Sequence, residues 1–73
     1  MEKSLENRIK TAKETIEEFD INHRRLAEFA ERSYVTVSRV LNGKGDYVTE
    51  TNVSAIEAGI EKILNKYRAK LCK

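Results

Sequence analysis

The chain has no proline and no tryptophan, one cysteine (Cys72), one histidine (His23) and only three glycines in 73 residues. Each shortage excludes something. Without proline or a Ser/Gly-rich stretch, no linker composition divides the chain, so one domain is expected over 1–73. One cysteine cannot close an intrachain disulfide or build a thiolate metal cluster, which fits a reducing cytoplasm. One histidine with no nucleophile–base partner in view argues against an enzyme, and no metal or other cofactor is implied. No apolar run approaches the roughly 18–20 residues of a membrane span. The segment from Met1 to Lys13 alternates in charge and lacks the apolar stretch of a signal peptide.

What the chain does have is charge and helical periodicity. Charged residues are 36% and hydrophobic residues 40%, the balance of a salt-rich globular domain. A domain of this size buries only about 60–65% of its unfolded surface, so its core is small and is often helped by dimerisation. The net charge is +2, but its distribution is more informative. Acids dominate residues 1–20, bases dominate 21–45 through Arg24, Arg25, Arg32, Arg39 and Lys44, acids alone fill 46–61, and bases alone fill 62–73.

Leu5, Ile9, Ala12, Ile16 and Phe19 recur at helical spacing behind a candidate cap at Ser4. Asp20-Ile21-Asn22 interrupts the pattern, and Asn22 caps a second predicted helix with Leu26, Ala27, Phe29 and Ala30 facing inward. Ser33 caps a third, with Val37, Val40 and Leu41 inward, and Asn42-Gly43 stops it. The run Val35, Val37 and Val40 with Tyr34 and Thr36 also has strand propensity, but the spacing of 37, 40 and 41 and the following stop favour helix. Gly43 to Tyr47 is the one real loop and has no phosphate-loop pattern. Thr49 caps the last helix, about 50–71, with Val48 and Val53 placed as a hydrophobic staple. The predicted fold is all-α, a four-helix helix-turn-helix domain with no sheet.

Within it, residues 22–42 have the layout of two helices joined by a tight turn, with Ala27 and Ala30 small enough for a close crossing. The stretch Ala27 to Asn42, above all Ser33-Tyr34-Val35-Thr36-Val37-Ser38-Arg39-Val40-Leu41-Asn42, resembles the helix-turn-helix of the lactose-repressor family. The resemblance extends to about Ile60, while the extra N-terminal helix looks like that of small phage-repressor (Cro-like) domains. Both families bind operator DNA as two-fold dimers. The chain departs from the pattern at Glu31, where glycine is usual, and at Arg32, where an apolar residue is usual. A left-handed Glu31 costs about 1 kcal/mol; the other possibility is a turn one residue longer or differently shaped. The resemblance implies no small-molecule inducer site, because the family's large sugar-binding domain is absent from these residues.

Carried over position by position, the resemblance implies that Tyr34, Val35 and Arg39 read bases. Arg39 has the donors for guanine O6 and N7, Val35 suits only a thymine methyl, and Tyr34 offers a ring and a hydroxyl. Ser33, Ser38 and Asn42 match phosphate-contacting positions, with Thr36 a weaker one. Arg24, Arg25 and Lys44 are candidates for the DNA backbone on charge and position. The plainer alternatives are a surface salt bridge from Arg39 to Glu31 or Asp46, and solvated charges at Arg24 and Arg25. His23 reads as an exposed helix-start residue and Cys72 as an idle thiol.

In the last helix, Val53, Ile56, Ile60, Ile63 and Tyr67 step by three and four, a heptad seam of about two and a half repeats. Two uses of this seam stay open: dimerisation, or coverage of the domain's own core. The expected function is a cytoplasmic, nucleoid-associated transcription regulator. It would be a repressor of phage or plasmid type that binds a palindromic operator in double-stranded DNA as a homodimer. The alternatives are an accessory factor in recombination or plasmid maintenance, and an antitoxin-like protein-interaction module.

Overall fold

The computed structural model describes residues 4–71, with side chains described for 5–68. Its elements are α1 (Ser4–Glu18), α2 (His23–Ala30), α3 (Tyr34–Leu41), a single 3₁₀ turn (Gly45–Tyr47) and α4 (Glu50–Leu71). No strand occurs among the described residues, so the segment with strand propensity is helical. The candidate cap side chain of Ser4 and the thiol of Cys72 lie outside the described residues.

The three remaining predicted caps form. Asn22 Oδ1 accepts from the backbone N–H groups of Arg24 (2.8 Å) and Arg25 (3.3 Å). Ser33 Oγ accepts from Thr36 N–H at 3.1 Å, and Thr49 Oγ1 from Asn52 N–H at 3.2 Å. Each satisfies donors that a helix start leaves without an intrahelical acceptor.

The helix ends share one solution. After α1, Ile21 N–H donates to Ile16 O and Asp20 N–H to Glu17 O; after α2, Arg32 N–H donates to Ala27 O and Glu31 N–H to Glu28 O. After α3, Lys44 N–H donates to Arg39 O and Gly43 N–H to Val40 O. These are three Schellman motifs, each requiring a left-handed residue. The residues are Asp20 (φ 53°), Glu31 (φ 59°) and Gly43 (φ 79°). Only the last is glycine. At Glu31, therefore, the chain accepts the left-handed backbone.

Leu26, Val37 and Val40 are solvent-free, and Val53 and Ile56 nearly so. Around them lie Ile9, Ala12 and Ile16 of α1, Ile21, Leu41 and Ile60. Each such aliphatic side chain contributes about 1.5–3 kcal/mol on burial. The α4 seam is mostly spent here: Val53, Ile56 and Ile60 belong to the chain's own core, and only Ile63 and Tyr67 retain surface for a partner. Two other expectations are corrected. Phe29 is half-buried rather than inward, and Phe19 is 44% exposed at the end of the α1 stripe.

Two contacts hold the outer helices to α4. Gly59 brings α4 so close to α2 that a Cβ there would lie 3.0 Å from Ala30 N and from Leu26 Cδ1. Ala30 thus meets the last helix, where the sequence suggested a crossing within the α2–α3 pair. Arg8 of α1 reaches α4 as a fork, with Nε and Nη2 donating to the two Glu57 oxygens at 2.9 and 2.7 Å. Its Nη1 donates to Glu50 Oε1 at 3.0 Å and Nη2 also to Ser54 Oγ. The hydrogen bonds from Arg8, then that from Ser54, hold the Glu50 carboxyl below its ordinary range, and Glu57 and Glu50 raise the Arg8 guanidinium in turn.

Candidate functional site

Helix α3 is anchored by one face and open on the other. Val37, Val40 and Leu41 point into the core, and Tyr34 and Val35 remain 46% and 51% exposed. At about 100° per residue, Tyr34, Ser38, Asn42, Val35 and Arg39 fall in one continuous arc of about 140°. All are exposed except Ser38, which is half-buried. Thr36 lies outside the arc, toward the anchored side, and its Oγ1 accepts a 2.9 Å hydrogen bond from the capping hydroxyl of Ser33. Ser33 and Thr36 are thus committed to each other and to the helix start.

Aromatic rings position Arg39 of this arc and Arg24 beside it. Arg39 Nη1 donates to the Tyr47 hydroxyl at 2.7 Å, and its guanidinium carbon lies 5.1 Å from the Tyr47 ring centroid. The salt bridges to Glu31 or Asp46 do not form; the 3₁₀ turn supplies the partner instead. Arg39, Lys44, Gly45, Asp46 and Tyr47 line a shallow depression of about 390 Å³. The Arg24 guanidinium lies 5.4 Å from the Tyr34 ring centroid, bringing α2's charge to the start of α3. Such cation–π contacts are worth about 0.5–1 kcal/mol when exposed. They give long, flexible side chains a preferred position.

Arg25 does not join this group. Its guanidinium lies over Phe29 at 5.9 Å, and Lys66 Nζ of α4 approaches the same ring at 5.5 Å. Ser38 and Asn42 instead share a second depression of about 160 Å³ with Lys13, Glu17 and His23. His23 is half-buried there, not an exposed helix start.

Sequence reasoning missed the residues that brace the turn. Arg32 Nε donates to Asn52 Oδ1 at 3.0 Å and its Nη1 to Glu31 O at 3.1 Å. Asn52 Nδ2 donates to Tyr47 O at 2.8 Å. Arg32 and Asn52 thus tie the α2–α3 turn to the first turn of α4 and to the 3₁₀ turn. No local pattern signals a partner twenty residues away. Among the described residues, no group of three or more His, Cys, Asp or Glu side chains is arranged to hold a metal, and no helix is long and apolar enough to cross a membrane.

No protein-family model matches the chain, and comparison with curated proteins and with solved structures finds no match.

Proposed function

We propose that this protein is a sequence-specific double-stranded DNA-binding regulator, in which α2 and α3 form a helix-turn-helix and α3 is the recognition helix. The observation that carries the reading is the α3 face. Tyr34 and Val35 stand half-exposed beside Arg39, while three core residues fix the helix behind them. A short helix so anchored has the dimensions to enter a major groove, where direct base contacts are made.

In this reading Arg39 donates to guanine O6 and N7, with one N–H held by Tyr47 so that the guanidinium plane is set before DNA arrives. Val35 contacts a thymine methyl and Tyr34 stacks or hydrogen-bonds beside it. Lys44, Arg24, Ser38 and Asn42 meet phosphates on either side. Asp46 at the rim of the Arg39 depression disfavours a misplaced backbone and helps set register. Repression by occlusion of a promoter, through a homodimer on half-sites about 34–36 Å apart, is the activity this geometry supports best.

The test is selection of bound duplexes from a random library at near-physiological salt, followed by sequencing. A two-fold symmetric consensus is expected. Recovery of random sequence at every salt concentration would overturn base reading by α3.

A further inference from the structure

The Arg39 guanidinium and the braced α2–α3 turn belong to one connected set of hydrogen bonds. Arg32 Nε donates to Asn52 Oδ1 at 3.0 Å, Asn52 Nδ2 donates to Tyr47 O at 2.8 Å, and the Tyr47 hydroxyl accepts from Arg39 Nη1 at 2.7 Å. Arg32 Nη1 extends the set to Glu31 O, the carbonyl of the left-handed residue. Asn52, half-buried in the first turn of α4, is the joint. A guanidinium only donates and a backbone carbonyl only accepts, so the side chain between them must do both, and the short amide of asparagine supplies one group of each kind.

The 3₁₀ turn gains from such a joint. It is entered through Gly43 and Gly45, and a Cβ at either position would meet nothing within 4 Å, so the entry is loosely packed. Tyr47 N–H and Val48 N–H both donate to Lys44 O, which shapes the turn internally. Tyr47 and Val48 pack against the core, but apolar contact has no direction. The Asn52 hydrogen bond does, and it sets how the Tyr47 backbone is turned and where its ring and hydroxyl stand.

Arg39 lies at the far end of this path. With Nη1 on the Tyr47 hydroxyl, the Nε–Nη2 edge is a second pair of parallel donors, the kind that guanine O6 and N7 accept together. A guanidinium already oriented loses less freedom when it meets a base. We propose that Asn52 is a positioning residue for base discrimination, acting from α4 through Tyr47 to set the place and plane of the Arg39 guanidinium. What Arg39 recognises rests on the DNA-binding reading above; what holds it rests on geometry alone.

Asn52→Asp separates the two ends of the joint. Aspartate keeps an acceptor for Arg32, so the brace to the α2–α3 turn survives, but it has no donor for Tyr47 O and sets an anion against that carbonyl. Tyr47→Phe cuts the same path at the hydroxyl while keeping the ring. Competition binding against duplexes substituted at each position of the selected consensus reads the effect. Both variants are expected to lose about three- to tenfold of the discrimination at the base pair that Arg39→Ala also affects, the fold-change of one net hydrogen bond. Elsewhere they discriminate as the wild type does, and combined with Arg39→Ala neither costs anything more at that pair. A loss spread evenly over all positions, as bracing alone would give, overturns the proposal, and so does no loss at the Arg39 pair.

A second measurement needs no DNA. Nitrogen relaxation by NMR at the Arg39 Nε–Hε group of the free protein is expected to show a more restrained side chain in the wild type than in Asn52→Asp or Tyr47→Phe. Asn52→Ala, which adds no charge, replaces Asn52→Asp if thermal unfolding shows that variant to be unfolded, with the same losses expected. Equal mobility of Arg39 in the wild type and the variants overturns the proposal. Failure of the DNA reading looks different: library selection would return random sequence, removing base discrimination from Arg39 and Asn52 together, while the dependence of Arg39 mobility on Asn52 persisted.

Discussion

Two pairs of large hydrophobic side chains stand half-exposed on this small domain, in different surroundings. Tyr34 and Val35 lie among Arg24, Arg39 and Lys44, with Asp46 at the edge. Phe19 and Tyr67 meet each other edge to face near the ends of α1 and α4. Exposure alone says only that a surface is available. Beside Tyr34 and Val35 the excess of basic charge suits a polyelectrolyte, which supports the DNA reading proposed for that face.

The strongest test of this division removes a candidate that belongs to neither surface. Ile60 is 7% exposed and lies in the core. Ile60→Asp is therefore expected to unfold the domain, at a cost of about 3 kcal/mol or more, and not merely to dissociate a dimer. Thermal unfolding followed by circular dichroism distinguishes the two. A folded monomeric variant would return the α4 seam to the interface.

Arg39→Ala acts on one surface alone. Loss of about 1–3 kcal/mol of discrimination at one base pair per half-site is expected, with self-association unchanged, as competition binding against point-substituted duplexes would show. Unchanged affinity and preference would mean that the reading face is elsewhere. The left-handed residues offer a subtler comparison. Glu31→Gly should raise stability by about 1 kcal/mol, or about 4–8 °C in Tm, without affecting the aromatic patch. Asp20→Gly should stabilise less, since aspartate tolerates this backbone better than glutamate.

Lys44→Ala is expected to weaken binding to all sequences alike and to lower the salt slope by about one unit, measured by titration over a range of salt. Smallest is a pH effect common to both surfaces, since it concerns the α1–α4 attachment. The Glu50 carboxyl is depressed by its Arg8 hydrogen bonds, so its contribution is complete above its ordinary value of 4.5 and is lost as pH falls through its lower folded value. Wild-type Tm should fall over that acid window more steeply than that of Glu50→Gln.

Much of the fold was legible in the sequence because helices announce themselves locally. The period of Ile9, Ala12 and Ile16, the caps at Asn22, Ser33 and Thr49 and the stop at Gly43 all depend on neighbours within a few residues. The α3 face was legible for the same reason: once Val37, Val40 and Leu41 are inward, Tyr34, Val35 and Arg39 must be outward. Arg25 was legible only in part: Phe29 lies one turn further along the same helix, whereas Lys66 joins that ring only because α4 runs past α2.

The amino-acid sequence by itself thus determined four helices, their starts and most of their stops, and the outward face of α3, because backbone capping and helical period act over one or two turns. Only the tertiary structure decided how the long last helix divides its apolar seam. Val53, Ile56 and Ile60 satisfy the chain's own core, and Tyr67 is left to meet Phe19 at the surface. It also decided that Glu31 keeps a left-handed turn, with Arg32 and Asn52 bracing it across twenty residues of chain. Such choices are made by packing between segments distant in sequence, where close approach at Gly59 and the fork of Arg8 set which face of α4 is spent.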